Sequence, residues 1–278
     1  MNALPLILEP SQLRPLLADP DLLIIDLSKA ETYQQGHIPG AIHVDPARLL
    51  AGTAPVANKL PSSEQLSALF SELGLREGLQ VVVYDDQMGP WAGRMIWTLD
   101  IIGHRRSSFL NGHLKAWIDA GGELESTLNL PQSSDFEAQP DLSLVAGLDE
   151  ICNHLDDPQQ LIWDARSKAE YRGDKRINAT KAGHIPGARH LEWTDLLIST
   201  DDWRLKKPAE LQQLLSSKGI DADKEVITHC QTHRRSGLTY LVAKSLGYPR
   251  IRCYDGSWFE WGNHPDTPVD TFNDETTE

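Results

Sequence analysis

Cysteine is nearly missing from this sequence of 278 residues: only Cys152, Cys230 and Cys253 occur. Three is odd, too few for a disulfide framework, and the spacing is not that of a zinc site, so no metal is expected and the thiols fit a reducing compartment. Long hydrophobic runs are also absent. No stretch approaches 18 consecutive apolar residues, and the opening MNALPLILEP has no basic stretch followed by a long apolar one. Neither a membrane span nor a secretory leader is expected, and the expected location is cytoplasmic. Positive charge is scarce overall: 26 Lys and Arg stand against 40 Asp and Glu, a formal net charge of −14. Such a surface repels polyphosphates and anionic lipids, which excludes nonspecific nucleic-acid and membrane binding. Any anion site has to be built locally.

What is present begins with a repeat. At 278 residues the chain calls for one large α/β domain or two domains of roughly 130 residues. Hydrophobic residues at 40% and charged ones at 24% are those of a globular protein, with fraying expected only in the acidic tail DTFNDETTE. GHIPGA occurs twice, at residues 36–41 and 183–188. Each copy follows an apolar run ending in Asp, LLIID and LIWD. Further on, VVVYDDQMGPWAGRMIWTLDIIGH runs beside VITHCQTHRRSGLTYLVAKSLGY at an offset of 144, with Gly112 on Gly256 and Trp117 on Trp261. A duplicated unit follows. The boundaries expected are 1–124 for a first domain, 125–142 for a polar, Pro-containing linker, and 143–278 for a second domain.

Each unit reads strand, GHIPG turn, short strand, helix, strand, helix, short strand and a Gly-Trp helix. Strands alternating with helices imply an α/β fold, with two tandem domains that are each a mainly parallel sheet flanked by helices on both faces. Both units carry the GHIPGA histidines, His37 and His184, which read as turn residues. Trp117, Trp258 and Trp261 read as core, and Cys152 and Cys253 as buried and inert.

Chemistry collects at HCQTHRRSG, residues 229–237. EVITHC reads as a strand and SGLTYLVAKSLG as a helix, so Cys230 stands at a strand end and a tight loop leads into a helix N-terminus. Successive N–H groups of such a loop form an anion nest, and the helix dipole adds positive potential; a thiolate there is stabilised. His233, Arg234 and Arg235 add cationic groups, and Gln231 and Thr232 complete the loop. Arg166, after the strand ending at Asp164, is expected at the same sheet edge, with Asp164 in a structural role. At the offset of 144 Cys230 falls on Asp86 and Arg235 on Trp91, and at 138 Arg166 falls on Ser28. The first unit therefore lacks all three groups and is expected to be catalytically inactive.

The duplicated unit, the two GHIPGA motifs, DARS and the cysteine ahead of a second-half helix together resemble the two-domain rhodaneses, the thiosulfate sulfurtransferases. The resemblance covers essentially the whole chain. The loop CQTHRRS is most similar to the Azotobacter-type bacterial rhodaneses, and departs from the Cys-Arg-Lys-Gly-Val-Thr loop of vertebrate-type enzymes and the Cys-Gly-Ser-Gly-Val-Thr loop of mercaptopyruvate sulfurtransferases. It implies Cys230 as the nucleophile that takes the sulfane sulfur of thiosulfate as a persulfide. It also implies Arg166 as a substrate-anion residue beside Arg235 and Arg234, and cyanide or a thiol as acceptor. No cofactor is implied, and a monomer is expected. Two alternatives stay open: 3-mercaptopyruvate as donor, and a persulfide carrier serving a protein acceptor. Phosphoryl transfer is disfavoured, because phosphatases with a related fold need arginine six residues after the cysteine and Arg235 follows Cys230 by five.

Overall fold

The computed structural model describes residues 3–53 and 56–271; the acidic end of the tail, residues 272–278, lies outside them. These residues fall into two compact units. One lies within Met1–Ala51, Leu60–Leu142 and Leu197–Lys206, the other within Gly52–Lys59, Ser143–Leu196 and Lys207–Glu278.

In the first unit the elements run β1 (Ile7–Leu8), α1 (Pro10–Leu13), β2 (Leu22–Asp26), α2 (Ala30–Gln35), β3 (Ala41–His43), α3 (Ser63–Glu72), β4 (Gln80–Tyr84), α4 (Pro90–Ile101), β5 (Ser107–Leu110) and α5 (His113–Asp119). The strands form a parallel sheet in the order β1-β5-β4-β2-β3. In the second unit they run α6 (Leu148–Asn153), β6 (Gln160–Asp164), α7 (Lys168–Arg172), β7 (Arg189–His190), α8 (Pro208–Ser217), β8 (Glu225–His229), α9 (Arg235–Ser245), β9 (Ile251–Cys253) and α10 (Ser257–Trp261). The order here is β7-β6-β8-β9, again parallel. The second unit's counterpart of β1 is reduced to a single bridge between Val145 and Cys253.

Successive residues of QVVVY in β4 are all buried, so both sheet faces are covered, as a parallel sheet requires. One face packs Ile24, Val82 and Tyr84 with Leu13, Leu114 and Trp117. The matching cluster of the second unit holds Ile162, Ile227, Tyr254, Trp258 and Trp261. The three repeat-derived tryptophans are thus core residues, at 1%, 1% and 0% exposure. Each GHIPGA motif closes a turn from Ile to Ala, Ala41 N–H to the Ile38 carbonyl and Ala188 N–H to the Ile185 carbonyl. Proline is second, and Gly40 and Gly187, at φ 80° and 75°, supply the left-handed third position of a type II turn. The histidines are structural: His37 and His184 stack on Tyr33 and Tyr171.

By contacts the segment expected as a linker, 125–142, groups with the first unit, where its irregular backbone finds partners: Ser134 N–H donates to the Ser71 carbonyl and Asp141 N–H to that of Ile101. Residues 197–206 also group with the first unit and 52–59 with the second.

The repeat register also shifts. Asp26 pairs with Tyr84 and Asp164 with His229, which makes Asp85, not Asp86, the counterpart of Cys230. The first helical residues Pro90 and Arg235 then correspond, not Trp91 and Arg235. The cause is length: α4 has 12 residues and α9 has 11, so the glycines beyond the helices align at one offset and the loops before them at another.

Candidate active site

Strand β8 is central in its sheet, and Cys230 follows its last residue. The thiol is 1% exposed, at the floor of a loop whose backbone is held from outside. Trp258 N–H donates to the Cys230 carbonyl and Phe259 N–H to that of Gln231, both at 2.9 Å, so the first turn of α10 fixes the loop carbonyls outward. Gln231 anchors the loop sideways, its amide 2.6 Å from the Ile177 carbonyl. His233 stands at φ 49°, a left-handed conformation that a non-glycine residue adopts only under constraint. The constraint is visible: its Nδ1 lies 2.7 Å from Ser236 Oγ.

Burial opposes ionisation of Cys230, but the charge of Arg235, the hydroxyl and N–H of Ser236 and the N–H of Thr232 outweigh it and hold the thiol below its ordinary value. This is the physics of a reactive thiolate: inward amides, a helix N-terminus and one nearby guanidinium.

The first unit shows the same cradle already filled. Asp85 Oδ1 accepts from the N–H groups of Gln87 and Gly89, both at 2.9 Å, and Oδ2 from those of Trp91 and Ala92 at 3.0 and 3.1 Å. A carboxylate sits where the second unit has a thiol, and Met88 at φ 66° matches His233. The loop is a receptacle for an anion in both units; only the second delivers sulfur to it.

Cys230, Gln231, Thr232, His233 and Arg235 lie together in the loop between β8 and the start of α9. Arg234 is exposed and leaves the loop toward solvent. Arg166, expected as a substrate-anion residue, is paired within the protein. It is buried at 1% exposure, its guanidinium doubly bonded to Asp164 at 2.6–3.0 Å and to the Gly183 carbonyl at 2.8 Å, with Cζ 4.2 Å from the Trp258 ring centre. In this arrangement it braces the fold: Asp164, two residues away and buried from solvent, takes its charge. Burial would raise the Asp164 carboxyl, yet Arg166 and His229 hold it well below the usual range. His229, also fully buried, is pushed down to about 4, mainly by burial and against the pull of Asp164, so it is neutral beside the thiolate.

Two residues escaped the sequence reading. Ser236 is one. The other is Glu170, whose carboxylate takes both terminal nitrogens of Arg235 at 2.8 and 2.9 Å. Ser167-x-x-Glu170 is a capping box at the start of α7, legible as such, but nothing in a sequence links it to a residue 65 positions on.

Comparison with known proteins agrees with this architecture. The family model for the Rhodanese-like domain matches residues 9–120 and again 148–264; the chain belongs to the rhodanese family, with two such domains in tandem. Among individual proteins it is similar to the thiosulfate sulfurtransferase of Azotobacter vinelandii, 47% identical over 96% of this chain and 98% of that one. The thiosulfate sulfurtransferase of Pseudomonas aeruginosa is 48% identical over 96% of this chain and 97% of that one. The crystal structure of SseA from Escherichia coli, a 3-mercaptopyruvate sulfotransferase, superposes with a TM-score of 0.83 at 27% identity, covering 92% of this chain and 99% of that one.

Proposed function

We propose that the protein is a thiosulfate sulfurtransferase with Cys230 as sulfur carrier. One observation carries the reading: a buried cysteine with a lowered pKa occupies an amide-lined anion cradle whose twin in the first unit is filled by the carboxylate of Asp85. The Cys230 thiolate attacks the outer sulfur of thiosulfate. The S–S bond to the sulfonate breaks, its electron pair leaves with sulfite, and a persulfide anion remains on Cys230. Cyanide or a thiolate then attacks the terminal sulfur and restores the Cys230 thiolate. No redox partner is needed, because each step exchanges one anionic leaving group for another.

The amides of Thr232 and Ser236 stabilise the sulfur anion before and after transfer, and Arg235 supplies the charge. The first unit is non-catalytic, since a carboxylate cannot carry sulfur. Every group named belongs to one unit, so a monomer suffices. The donor reading is supported by the two thiosulfate sulfurtransferase relatives, at 47% and 48% identity. Three free cysteines support a reducing, cytoplasmic setting, and among the described residues no helix is long and apolar enough to cross a membrane.

Intact mass before and after thiosulfate tests the proposal. A gain of one sulfur, about 32 Da, is expected in the wild type and lost in Cys230→Ala. An active protein with no mass gain would overturn it.

A further inference from the structure

The charge of Arg235 is the foremost influence favouring the Cys230 thiolate, and its guanidinium also meets a carboxylate. Both terminal nitrogens are held by Glu170. Glu170 is 3% exposed and fixed from behind, with Ser167 Oγ donating to its Oε2 at 2.7 Å and Ser167 N–H at 3.2 Å. The carboxylate is fully charged, because burial, which would raise it, is overcome by Arg235 and Ser167, which bring it down to about 2. Arg166 is committed to Asp164, and Arg234 is exposed. The charge of Arg235 is therefore partly offset at the thiolate, and its remaining attraction acts with the loop amides and the helix end on an incoming anion.

We propose that Glu170 tempers the site's pull on its sulfur donor, weakening the attraction for doubly charged donors such as thiosulfate more than that for singly charged ones. Its substrate assignment rests on the sulfur-transfer reading above. The cost of a fixed carboxylate scales with the charge of what approaches it. A dianion feels twice the repulsion of a monoanion, so the effect on a dianion is roughly the square of that on a monoanion. Glu170 thus holds Arg235 beside the thiolate while weakening, without abolishing, the attraction for a dianion such as thiosulfate.

The test uses the full-length chain with Glu170→Gln, which keeps a capping-box acceptor, and Glu170→Ala in parallel, both checked by thermal melting. Cys230 is alkylated with neutral iodoacetamide and anionic iodoacetate. Both reagents attack the same thiolate, so a change in its ionisation cancels in the rate ratio, and a merely structural role would not move it. The iodoacetate-to-iodoacetamide ratio is expected to rise about threefold in the variants, and the half-saturating thiosulfate concentration for sulfur gain to fall about tenfold. An unchanged alkylation ratio in either folded variant overturns the role of Glu170, whether or not thiosulfate reacts. Absence of sulfur gain in the wild type, with the ratio still shifted, overturns the sulfur-transfer reading alone and leaves Glu170 as the charge selector of the thiol pocket.

Discussion

Asp85 and Cys230 are one position of a duplicated unit: each directly follows the residue that pairs with the terminal Asp of the neighbouring strand, Tyr84 with Asp26 and His229 with Asp164. Asp85 satisfies with four hydrogen bonds the amides that Cys230 leaves for sulfur. One unit is a stable rendering of the loop, the other a reactive one.

Asp85→Ala is therefore expected to destabilise the first unit by about 2–4 kcal/mol, since buried N–H groups lose their acceptor. Calorimetry reads the change. Alkylation of Cys230 in the folded variant should keep its wild-type pH profile, and a melting curve like the wild type's would show the cradle to be self-sufficient.

Arg166→Met should cost roughly 3–5 kcal/mol, because Asp164 is left as an uncompensated buried charge. Chemical denaturation measures it. A variant of normal stability with a raised thiosulfate requirement would return Arg166 to substrate binding.

Removal of the Arg235 charge should make Cys230 harder to ionise. In Arg235→Met the pH of half-maximal iodoacetamide alkylation is expected to move up by about one unit, as burial then acts with less opposition. An unmoved profile would leave the amides and helix N-terminus as sufficient.

Acid should weaken the second unit through His229. Its folded value of about 4 lies below the ordinary 6.5, so the unfolded chain binds more protons between these pH values. The contribution is complete above pH 6.5 and is lost as pH falls through 4, by up to about 1.4 kcal/mol per pH unit. Unfolding free energies of His229→Gln across that window should show a shallower decline; an equal slope would exclude His229 as the source.

Much of this was readable from residue order. The apolar runs LLIID, QVVVY, QLIWD and EVITH became parallel strands, because β-branched and leucine-rich segments alternating with helical ones have few other ways to bury both faces. The CQTHRR loop was legible because strand end, tight turn and helix start are all marked locally. The register of the repeat was misread by one residue, since glycines fix where helices end but not how long they run. The segment exchange at 52–59 and 197–206 has no local signal, as irregular chain can find its hydrogen-bond partners on either unit.

By itself the sequence determined the duplication and the α/β class, and it pointed to Cys230 and to the lack of a cysteine in the matching loop of the first unit, all of which follow from local pattern or from comparing the chain with itself. The tertiary structure alone decided what the arginines do. A guanidinium is committed by whichever carboxylate the fold brings within about 3 Å. Asp164 draws Arg166 into the core, and Glu170, 65 residues from Arg235, holds the cation beside the thiolate.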